Sequence, residues 1–377
     1  MPGLLSDVDP DGLLEYSVVY TDRALNHMSA NFQTVMTDIS ATLKEVYNAD
    51  SVAVVPGSGT FGMEAVARQF ATDQHCVVIR NGWFSYRWTQ ILEMGDIASS
   101  HSIFKAVRQG EGPTAPFAPA PIDEVTAAIV AEKPAVVFAP HVETSAGLML
   151  PDDYIAGLAD ATHQAGALLV LDCIASGTVW VDMAELGVDV LISAPQKGWS
   201  GPPCAGLVML SEAATARLEE TTSTSFACDL KKWRDIMAAY EQGGHAYHAT
   251  MPTDALTTFR DVMNEAREYG FDKVRAEQVD LGARVRALLA TQGFQSVAAE
   301  GYGSPGVVVS YTDDPEIKSG VRFAAEGLQI AAGVPLQCDE GADFNTFRIG
   351  LFGLDKLHDP DRVVADFEAA LGAIAPV

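Results

Sequence analysis

The chain has 377 residues, which exceeds one small domain and favours a large domain with a second unit. Hydrophobic residues make up 48% and charged residues 20%, a balance that supports a sizeable core and argues against disorder. The net charge is −26 and no cluster of Lys and Arg interrupts it, so nucleic acid is not an expected partner.

Targeting and redox signals point to the cytoplasm. Apolar runs such as 167–171 are too short to cross a bilayer, so no membrane association is expected. The N-terminal stretch MPGLLSDVDPDGLLEY is acidic and lacks the basic region of a secretion signal. The five cysteines are an odd number without C-x-x-C spacing, which indicates reduced thiols and no metal site.

The first two thirds of the chain alternate helical segments with short apolar runs. Apolar residues at helical spacing predict a helix at 32–47. The predicted strands that follow are 51–55, 75–79, 135–140, 167–172, 188–194 and 205–210. Wholly apolar strands separated by helices are typical of a mostly parallel sheet covered on both faces.

From residue 256 the pattern changes. One long charged helix is predicted at 259–292, followed by strands at 307–311 and 346–352 and a closing helix. We therefore predict an α/β protein with an N-terminal segment (1–30), a large domain (31–255) and a smaller α+β domain (256–377). The stretch 245–254 is the expected connector.

The stretch VVPGSGTFGMEAV, residues 54–66, contains the pattern G-x-G-x-x-G. A strand that ends in such a turn and opens a helix presents free amides and the positive end of a helix dipole, which suit a phosphate. A dinucleotide site also requires an acid at the end of the next strand to bind a ribose. Arg80 and Asn81 stand there instead. The turn therefore predicts a phosphate site, with an NAD-binding protein as the alternative from another class.

Two residues at later strand ends indicate which phosphate. Asp172 ends the strand 167–172, and Lys197 follows the strand 188–194, so both side chains can converge on one cleft. The pair suits pyridoxal 5′-phosphate (PLP): the lysine forms a Schiff base with the aldehyde, and the carboxylate keeps the pyridine nitrogen protonated. The alternative is a surface lysine and a helix-capping aspartate. The Gly- and Pro-rich surroundings of Lys197 favour the cofactor site.

The segment SAPQKGWSGPPCAGLV, residues 193–208, resembles the lysine segment of class V, fold-type I PLP aminotransferases, the alanine–glyoxylate and serine–pyruvate group. The resemblance runs from about residue 27 to the C-terminus through several motifs in the same order. It implies a fold-type I architecture and a homodimer with shared active sites. It also implies transfer of an amino group from a small amino acid (alanine, serine or aspartate) to a 2-oxo acid such as glyoxylate or pyruvate.

The resemblance implies a role for each residue that matches a family motif. The residues assigned to the cofactor are Ser58, Gly59 and Thr60 at the phosphate, Phe84 (or the competing Trp83) stacked on the ring, Thr144 near the ring oxygen, Asp172 at the pyridine nitrogen, the pair Gln196 and Lys197, and Tyr247 and Thr250, which reach the cofactor phosphate of the neighbouring subunit. Arg348 matches the arginine that binds the substrate carboxylate, for which its planar fork is suited.

Two regions depart from the family pattern. The Pro-Gly-Pro type segment near the N-terminus and its arginine are absent, with Asn26 and Met28 nearby. The loop 334–345 is longer than in related sequences and lies just before Arg348, where it is expected to shape specificity.

Two alternative activities fit the same fold. A PLP lyase or cysteine desulfurase needs a mobile nucleophilic cysteine, for which Cys338 is the candidate, but desulfurases carry His where this chain has Gln196. A 2-aminoethylphosphonate–pyruvate transaminase has a similar G-S-G-T-x-x-x-E-A-V turn.

Overall fold

The computed structural model describes residues 13–374. Most of the N-terminal stretch 1–16, for which the sequence predicts no secretion signal, lies outside the described residues. The helices are α1 (Ala30–Tyr47), α2 (Gly59–Phe70), α3 (Trp83–Met94), α4 (Ile122–Glu132), α5 (Asp152–Gln164), α6 (Met183–Leu186), α7 (Glu212–Glu220), α8 (Leu230–Glu241), α9 (Thr253–Tyr269), α10 (Phe271–Thr291), α11 (Pro315–Lys318), α12 (Val321–Ala325), α13 (Leu354–Leu357) and α14 (Pro360–Ile374). The strands are β1 (Ser51–Pro56), β2 (His75–Arg80), β3 (Ser100–Lys105), β4 (Val107–Arg108), β5 (Phe117–Ala118), β6 (Val136–Pro140), β7 (Val142–Glu143), β8 (Leu148–Met149), β9 (Leu168–Asp172), β10 (Val190–Ser193), β11 (Ala205–Leu210), β12 (Val307–Tyr311), β13 (Ala331–Ala332) and β14 (Thr346–Gly350).

The large sheet has the strand order β1-β11-β10-β9-β6-β2-β3. Strands β3, β2, β6, β9 and β10 run parallel, whereas β11 runs antiparallel to both β10 and β1. Every residue of β6, β9, β10 and β11 is buried, so both faces of the sheet are covered. The predicted α/β fold with a mostly parallel central sheet is confirmed, and β11 is the antiparallel exception.

A second, antiparallel sheet has the order β12-β14-β13 and lies in the C-terminal part of the chain. The main core cluster joins residues from Leu25 to Met263, and a second cluster joins residues from Ala266 to Ile374. The first cluster extends into α9, beyond the boundary expected at residue 255. The division into domains stays a prediction.

The prediction of one helix over 259–292 is wrong. Helix α9 ends at Tyr269 and α10 begins at Phe271, with Gly270 between them at φ +102°. Glycine adopts this conformation without the strain that a Cβ would cause, so the chain turns here. Both helices are charged and amphipathic, and their joint pattern concealed the break.

None of the helices between residues 13 and 374 combines the length and apolar character needed to cross a membrane.

Candidate active site

The glycine turn forms a cup at the end of β1. Gly57 has φ +125°, and its amide donates to the carbonyl of Cys204 at 2.8 Å, which fixes the turn against the start of β11. Ser58 is the N-cap of α2, but its hydroxyl makes no capping hydrogen bond. Gly62 lies against Gly206, which lets α2 pack closely on β11. Gly57 therefore serves the turn and Gly62 the packing, and the helix N-terminus offers its amides to an anion.

Eight of the predicted cofactor residues line one cleft at this cup. They are Ser58, Gly59, Thr60, Phe84, Thr144, Asp172, Gln196 and Lys197. They come from the ends of β1, β9 and β10, from the start of α3 and from the β7–β8 turn. The expectation that Asp172 and Lys197 would share one cleft agrees with this arrangement, while the individual roles remain predictions.

Asp172 is buried at the end of β9. Its Oδ1 accepts a hydrogen bond from the amide of Ile174 at 3.0 Å. Burial raises the pKa of the Asp172 carboxyl to about 7; the Ile174 hydrogen bond opposes this shift, Glu143 adds to it and Arg87 opposes it. A buried carboxylate of this kind is stabilised by a cationic partner in the cleft, and a protonated ring nitrogen is such a partner.

Lys197 lies half-buried in the loop between β10 and β11. Burial lowers the pKa of its amine, and the positive charge of Arg348 lowers this pKa further. The amine lies 5.4 Å from the centre of the Phe352 ring. A lysine with a depressed pKa has a larger neutral fraction near neutral pH, which is the form that attacks an aldehyde.

The loop that carries Lys197, residues 194–204, is held firmly. The Trp199 side chain is buried and packs 4.7 Å from the ring of Trp180. A Cβ on Gly198 would overlap the carbonyl oxygen of Gly177. The hydroxyl of Ser200 accepts from the amide of Leu354 at 2.8 Å, which connects the loop to α13. These contacts fix the backbone of the loop, so Lys197 moves mainly by rotation about the bonds of its own side chain.

The cleft has unused polar capacity that fits PLP. The Oε1 atom of Gln196 is buried and has no hydrogen-bond partner among the described residues. Buried polar atoms in folded proteins nearly always have a partner, so this one points to a polar group on a bound molecule. The cup suits a phosphate, Phe84 offers an aromatic face, and Asp172 and Lys197 suit the ring nitrogen and the aldehyde.

Phe84 and Trp83, the two candidates for stacking on the cofactor ring, have different surroundings. Phe84 lines the cleft, whereas the Trp83 ring lies 5.8 Å from the ring of Tyr86 on the same helix. The geometry favours Phe84 as the residue that stacks on the cofactor ring.

A buried carboxylate that sequence reasoning missed holds Phe84 in place. Glu143 is fully buried and accepts hydrogen bonds from the amides of Phe84 (3.2 Å) and Ser85 (2.8 Å) and from the hydroxyl of Ser145 (2.7 Å). An acid at a helix N-terminus satisfies free amides and is stabilised by the helix dipole. The segment HVETSAG contained this acid, but its partners lie 58 and 59 residues earlier in the chain.

A second missed residue is Arg87. It lines the cleft, and its Nη1 donates to the hydroxyl of Thr60 at 2.9 Å. It lies one helical turn after Phe84, whose ring centre is 5.2 Å from its guanidinium carbon. This helical spacing was a signal in the sequence, since residues three apart share a helix face.

Arg348 lies on β14 beside the cleft. Its Nε donates to the carbonyl of Ala332 at 2.9 Å, and its guanidinium carbon lies 5.6 Å from the centre of the Phe84 ring. Burial lowers the pKa of Arg348, and the charge of Glu143 opposes this shift. Strand β14 therefore brings a cation close to the ring of Phe84, which lines the cleft.

Tyr247 and Thr250 do not line the cleft of their own chain. They lie in the loop between α8 and α9, where the Tyr247 side chain is 55% exposed and its hydroxyl is 3.2 Å from the Thr250 hydroxyl. Their outward position is compatible with contact to a neighbouring subunit.

Cys338 does not have the properties of a mobile nucleophile. Its side chain is buried, and its Sγ donates to the carbonyl of Arg80 at 3.3 Å. Burial raises the pKa of this thiol to about 12, which keeps it protonated at neutral pH. The desulfurase alternative is not favoured.

Comparisons with known proteins identify the family of the chain. The Aminotransferase class-V family matches residues 13–308. A 2-aminoethylphosphonate–pyruvate transaminase of Burkholderia thailandensis is 29% identical over 92% of this chain and 90% of its own length. An alanine–glyoxylate aminotransferase of Rattus norvegicus is 27% identical over 66% of this chain, and the match spans only 58% of the rat protein. The solved structure of a ureidoglycine–glyoxylate aminotransferase from Bacillus subtilis superposes with a TM-score of 0.77 at 21% identity, over 96% of this chain and 89% of that one.

The match to the family covers well over half of the chain, and the architecture is that of its solved members. The chain therefore belongs to the class-V aminotransferases, enzymes that use PLP to transfer amino groups.

Proposed function

We propose that this enzyme moves an amino group from a small amino acid (alanine, serine or aspartate) to glyoxylate or pyruvate, with Lys197 as the residue that binds the cofactor. The observation that carries the proposal is the joint placement of Asp172 and Lys197 in the cleft that contains the phosphate cup. Arg87 and the hydroxyls of Ser58 and Thr60 at the cup suit the phosphate, and Lys197 follows the end of β10 at the same edge of the sheet.

PLP, when bound, supplies an electron sink that stabilises negative charge at the substrate Cα. The chain would supply the remaining chemistry. Asp172 would hold a proton at the ring nitrogen, and Phe84 would pack against the face of the ring. The Lys197 amine would accept the proton from the substrate Cα as general base and donate it again as general acid. Its depressed pKa suits both the accepting and the donating step.

Arg348 would bind the α-carboxylate. A guanidinium donates two parallel hydrogen bonds to a carboxylate, and the backbone contact with Ala332 fixes its direction. Since Arg348 also lies near Phe84, the carboxylate would be oriented relative to the cofactor ring.

We further propose a homodimer in which each chain completes the site of the other. Tyr247 is exposed beside His27, with ring centres 5.4 Å apart, and Phe226 on the same surface is 77% exposed and packs on His248. The N-terminal segment adds exposed apolar side chains, among them Leu14 and Val18. Cover by a second copy would bury these groups and bring Tyr247 and Thr250 to the neighbouring phosphate. The five free, buried cysteines support a reducing compartment, and we propose the cytoplasm.

The test is a cofactor spectrum followed by a donor panel. We expect purified protein to show the visible absorbance of a Schiff base between PLP and a lysine. Lys197→Ala should abolish this absorbance and reduce turnover by about 10³-fold or more, whereas the exposed Lys232→Ala should change neither. Transamination by Lys197→Ala at the wild-type rate would refute the assignment.

The donor panel should contain alanine, serine, aspartate and 2-aminoethylphosphonate, each with glyoxylate and with pyruvate. A preference for 2-aminoethylphosphonate would replace the proposed substrate class with the phosphonate class and leave the assignment of Lys197 unchanged.

A further inference from the structure

Arg87 connects the two parts of the cleft that would hold the cofactor. It lies on α3, and its Nη1 crosses to the cup on α2, where it donates to the Thr60 hydroxyl at 2.9 Å. On its own helix the guanidinium carbon lies 5.2 Å from the centre of the Phe84 ring, within cation–π distance. One arginine thus contacts both the cup and the ring-stacking aromatic.

The hydrogen bond to Thr60 sets the direction of the Thr60 proton. A threonine hydroxyl has one hydrogen to donate and accepts through its lone pairs. Because Arg87 supplies the hydrogen in their contact, the Thr60 oxygen is the acceptor and its own hydrogen remains available to another group. The cup is therefore supplied with a hydroxyl that donates toward an anion.

The charge balance of the cleft calls for a cation at this place. A phosphate monoester carries a charge of about −1.5 to −2 at neutral pH. The N-terminus of α2 contributes about half a positive charge. Among the residues that line the cleft, Arg87 and Lys197 are the cations, and Asp172 adds negative charge. Since the Lys197 amine is committed to the aldehyde, Arg87 is the lining cation that can face the phosphate.

We propose that Arg87 is a phosphate-binding residue of the cofactor site, which orients Thr60 and compensates the charge of the phosphate group. The inference rests on the proposed assignment of the cup to PLP. It adds a residue that neither the motifs nor the strand-end rule identified. The same guanidinium lies within cation–π distance of the Phe84 ring, so Arg87 would also support the position of that ring beside the cup.

The test compares PLP with pyridoxal, which has the same ring and aldehyde but a hydroxymethyl group in place of the phosphate. Apoenzyme is titrated with each, and binding is followed by absorbance and by tryptophan fluorescence. Arg87→Gln should weaken PLP affinity about 10- to 100-fold, the loss expected for a charge-assisted hydrogen bond. Its affinity for pyridoxal should change by less than about threefold, within the scatter of neutral substitutions.

A matched control is Arg68→Gln on α2. Arg68 is paired with Glu64 at 2.7 Å and does not line the cleft, so its loss should affect neither ligand. Arg87→Lys keeps the charge but not the fork, and we expect it to lie between wild type and Arg87→Gln. Inorganic phosphate should raise the melting temperature of wild-type apoenzyme more than that of Arg87→Lys, a readout that remains if Arg87→Gln does not fold.

The outcomes separate the possible failures. Equal weakening of PLP and pyridoxal would show that Arg87 only supports Phe84, and would overturn the inference. Unchanged PLP affinity in Arg87→Gln, or in Arg87→Lys together with an unchanged phosphate shift, would overturn it as well. If wild-type protein forms no Schiff base with PLP, the proposed assignment of the cup to PLP is wrong, and this failure is distinguishable from a failure of the inference about Arg87.

Discussion

Two loops of this protein each carry a side chain that can act as a nucleophile, and burial shifts the pKa values of the two side chains in opposite directions. The loop 194–204 carries Lys197, and the loop 334–345 carries Cys338. Burial lowers the pKa of the lysine amine and raises the pKa of the cysteine thiol to about 12. The charged form is disfavoured in both cases. For the amine the neutral form is the nucleophile, whereas for the thiol it is the inert form.

The two loops are also fixed by different means. Close backbone packing at Gly198 and the buried Trp199 hold the lysine loop. A carboxylate holds the cysteine loop: Glu340 accepts hydrogen bonds from the amides of Leu336 (2.6 Å), Gln337 (3.1 Å) and Cys338 (2.9 Å). We therefore expect substitutions that add volume to disturb the lysine loop, and substitutions that remove charge to disturb the cysteine loop.

The largest effect is expected from Gly198→Ala. The new Cβ would overlap the Gly177 carbonyl, so the lysine loop must shift, at a cost of roughly 3 kcal/mol or more in the free energy of unfolding. Chemical denaturation measures this cost. Gly372→Ala on α14 is the control, since its Cβ meets no atom within 4 Å and should stabilise by about 0.5–1 kcal/mol. Equal stability of the two variants would contradict the account of the lysine loop.

Asp172→Asn extends the comparison to a buried acid. The pKa of Asp172 in the folded apoprotein, about 7, lies above its ordinary value of 3.8, so the folded state binds more protons between these pH values. The contribution of Asp172 to the stability of the apoprotein should therefore fall as pH rises from about 4 to about 7 and stay low above that range, and it is read from the difference between wild type and Asp172→Asn. Asparagine does not titrate, and the variant should melt several degrees higher at pH 8 but not at pH 4.

Thermal melts of apoprotein across this pH range measure the effect. The exposed Asp160→Asn on α5 should follow the wild-type curve. A wild-type profile that rises between pH 4 and pH 7 while that of Asp172→Asn does not would show that the carboxylate is stabilised in the apoprotein, against the burial argument.

Glu340→Gln should loosen the cysteine loop by about 1–2 kcal/mol, because an amide offers one acceptor oxygen and no charge to the three amides. Local opening would expose Cys338, and its alkylation rate, followed by mass spectrometry of the peptide, should rise about 10-fold. Alkylation of the buried Cys76 gives an internal control. The exposed Asp343→Asn should leave both rates unchanged, and an unchanged Cys338 rate in Glu340→Gln would show that packing alone holds the loop.

The smallest effect is expected from Cys338→Ser. A buried, protonated thiol takes no part in transamination, so the rate should stay within about twofold of wild type. Sulfide release from cysteine should be absent in both proteins. Sulfide release by wild-type protein that the substitution abolishes would restore the desulfurase alternative.

The sequence predicted those site residues that follow buried strands, because an apolar run followed by a polar residue is a local pattern. Asp172 and Lys197 were found in this way, and the resemblance added Phe84, Thr144 and Arg348. Glu143 was missed because its role depends on contacts with a segment distant in the chain. The spacing of Arg87 from Phe84 was a local signal, but its contact with Thr60, 27 residues earlier, was not. The burial of Cys338 is likewise a product of its docking on Arg80, which no local pattern reveals.

The fold was predictable to a similar degree. Six of the seven strands of the central sheet were located within one or two residues, but the partly exposed edge strand β3 was not predicted and the antiparallel direction of β11 was not foreseen. Strand direction depends on the length and path of the connection, and the loop 194–204 gives no periodic signal. The break at Gly270 was missed for the opposite reason, since the charge pattern continued across it.

The reversed strand β11 has a consequence for distances in the active site. Because β11 is antiparallel to both neighbours, β1 and β10 point in the same direction and end at the same edge of the sheet. The ends of β1 and β10, from which the cup and the lysine loop emerge, are therefore separated by two interstrand spacings, about 10 Å. That spacing is set by backbone hydrogen bonds, so a substitution that shifts the lysine loop leaves the distance between the two strand ends unaltered. The sheet thus fixes the two points from which the cup and the lysine approach the cleft.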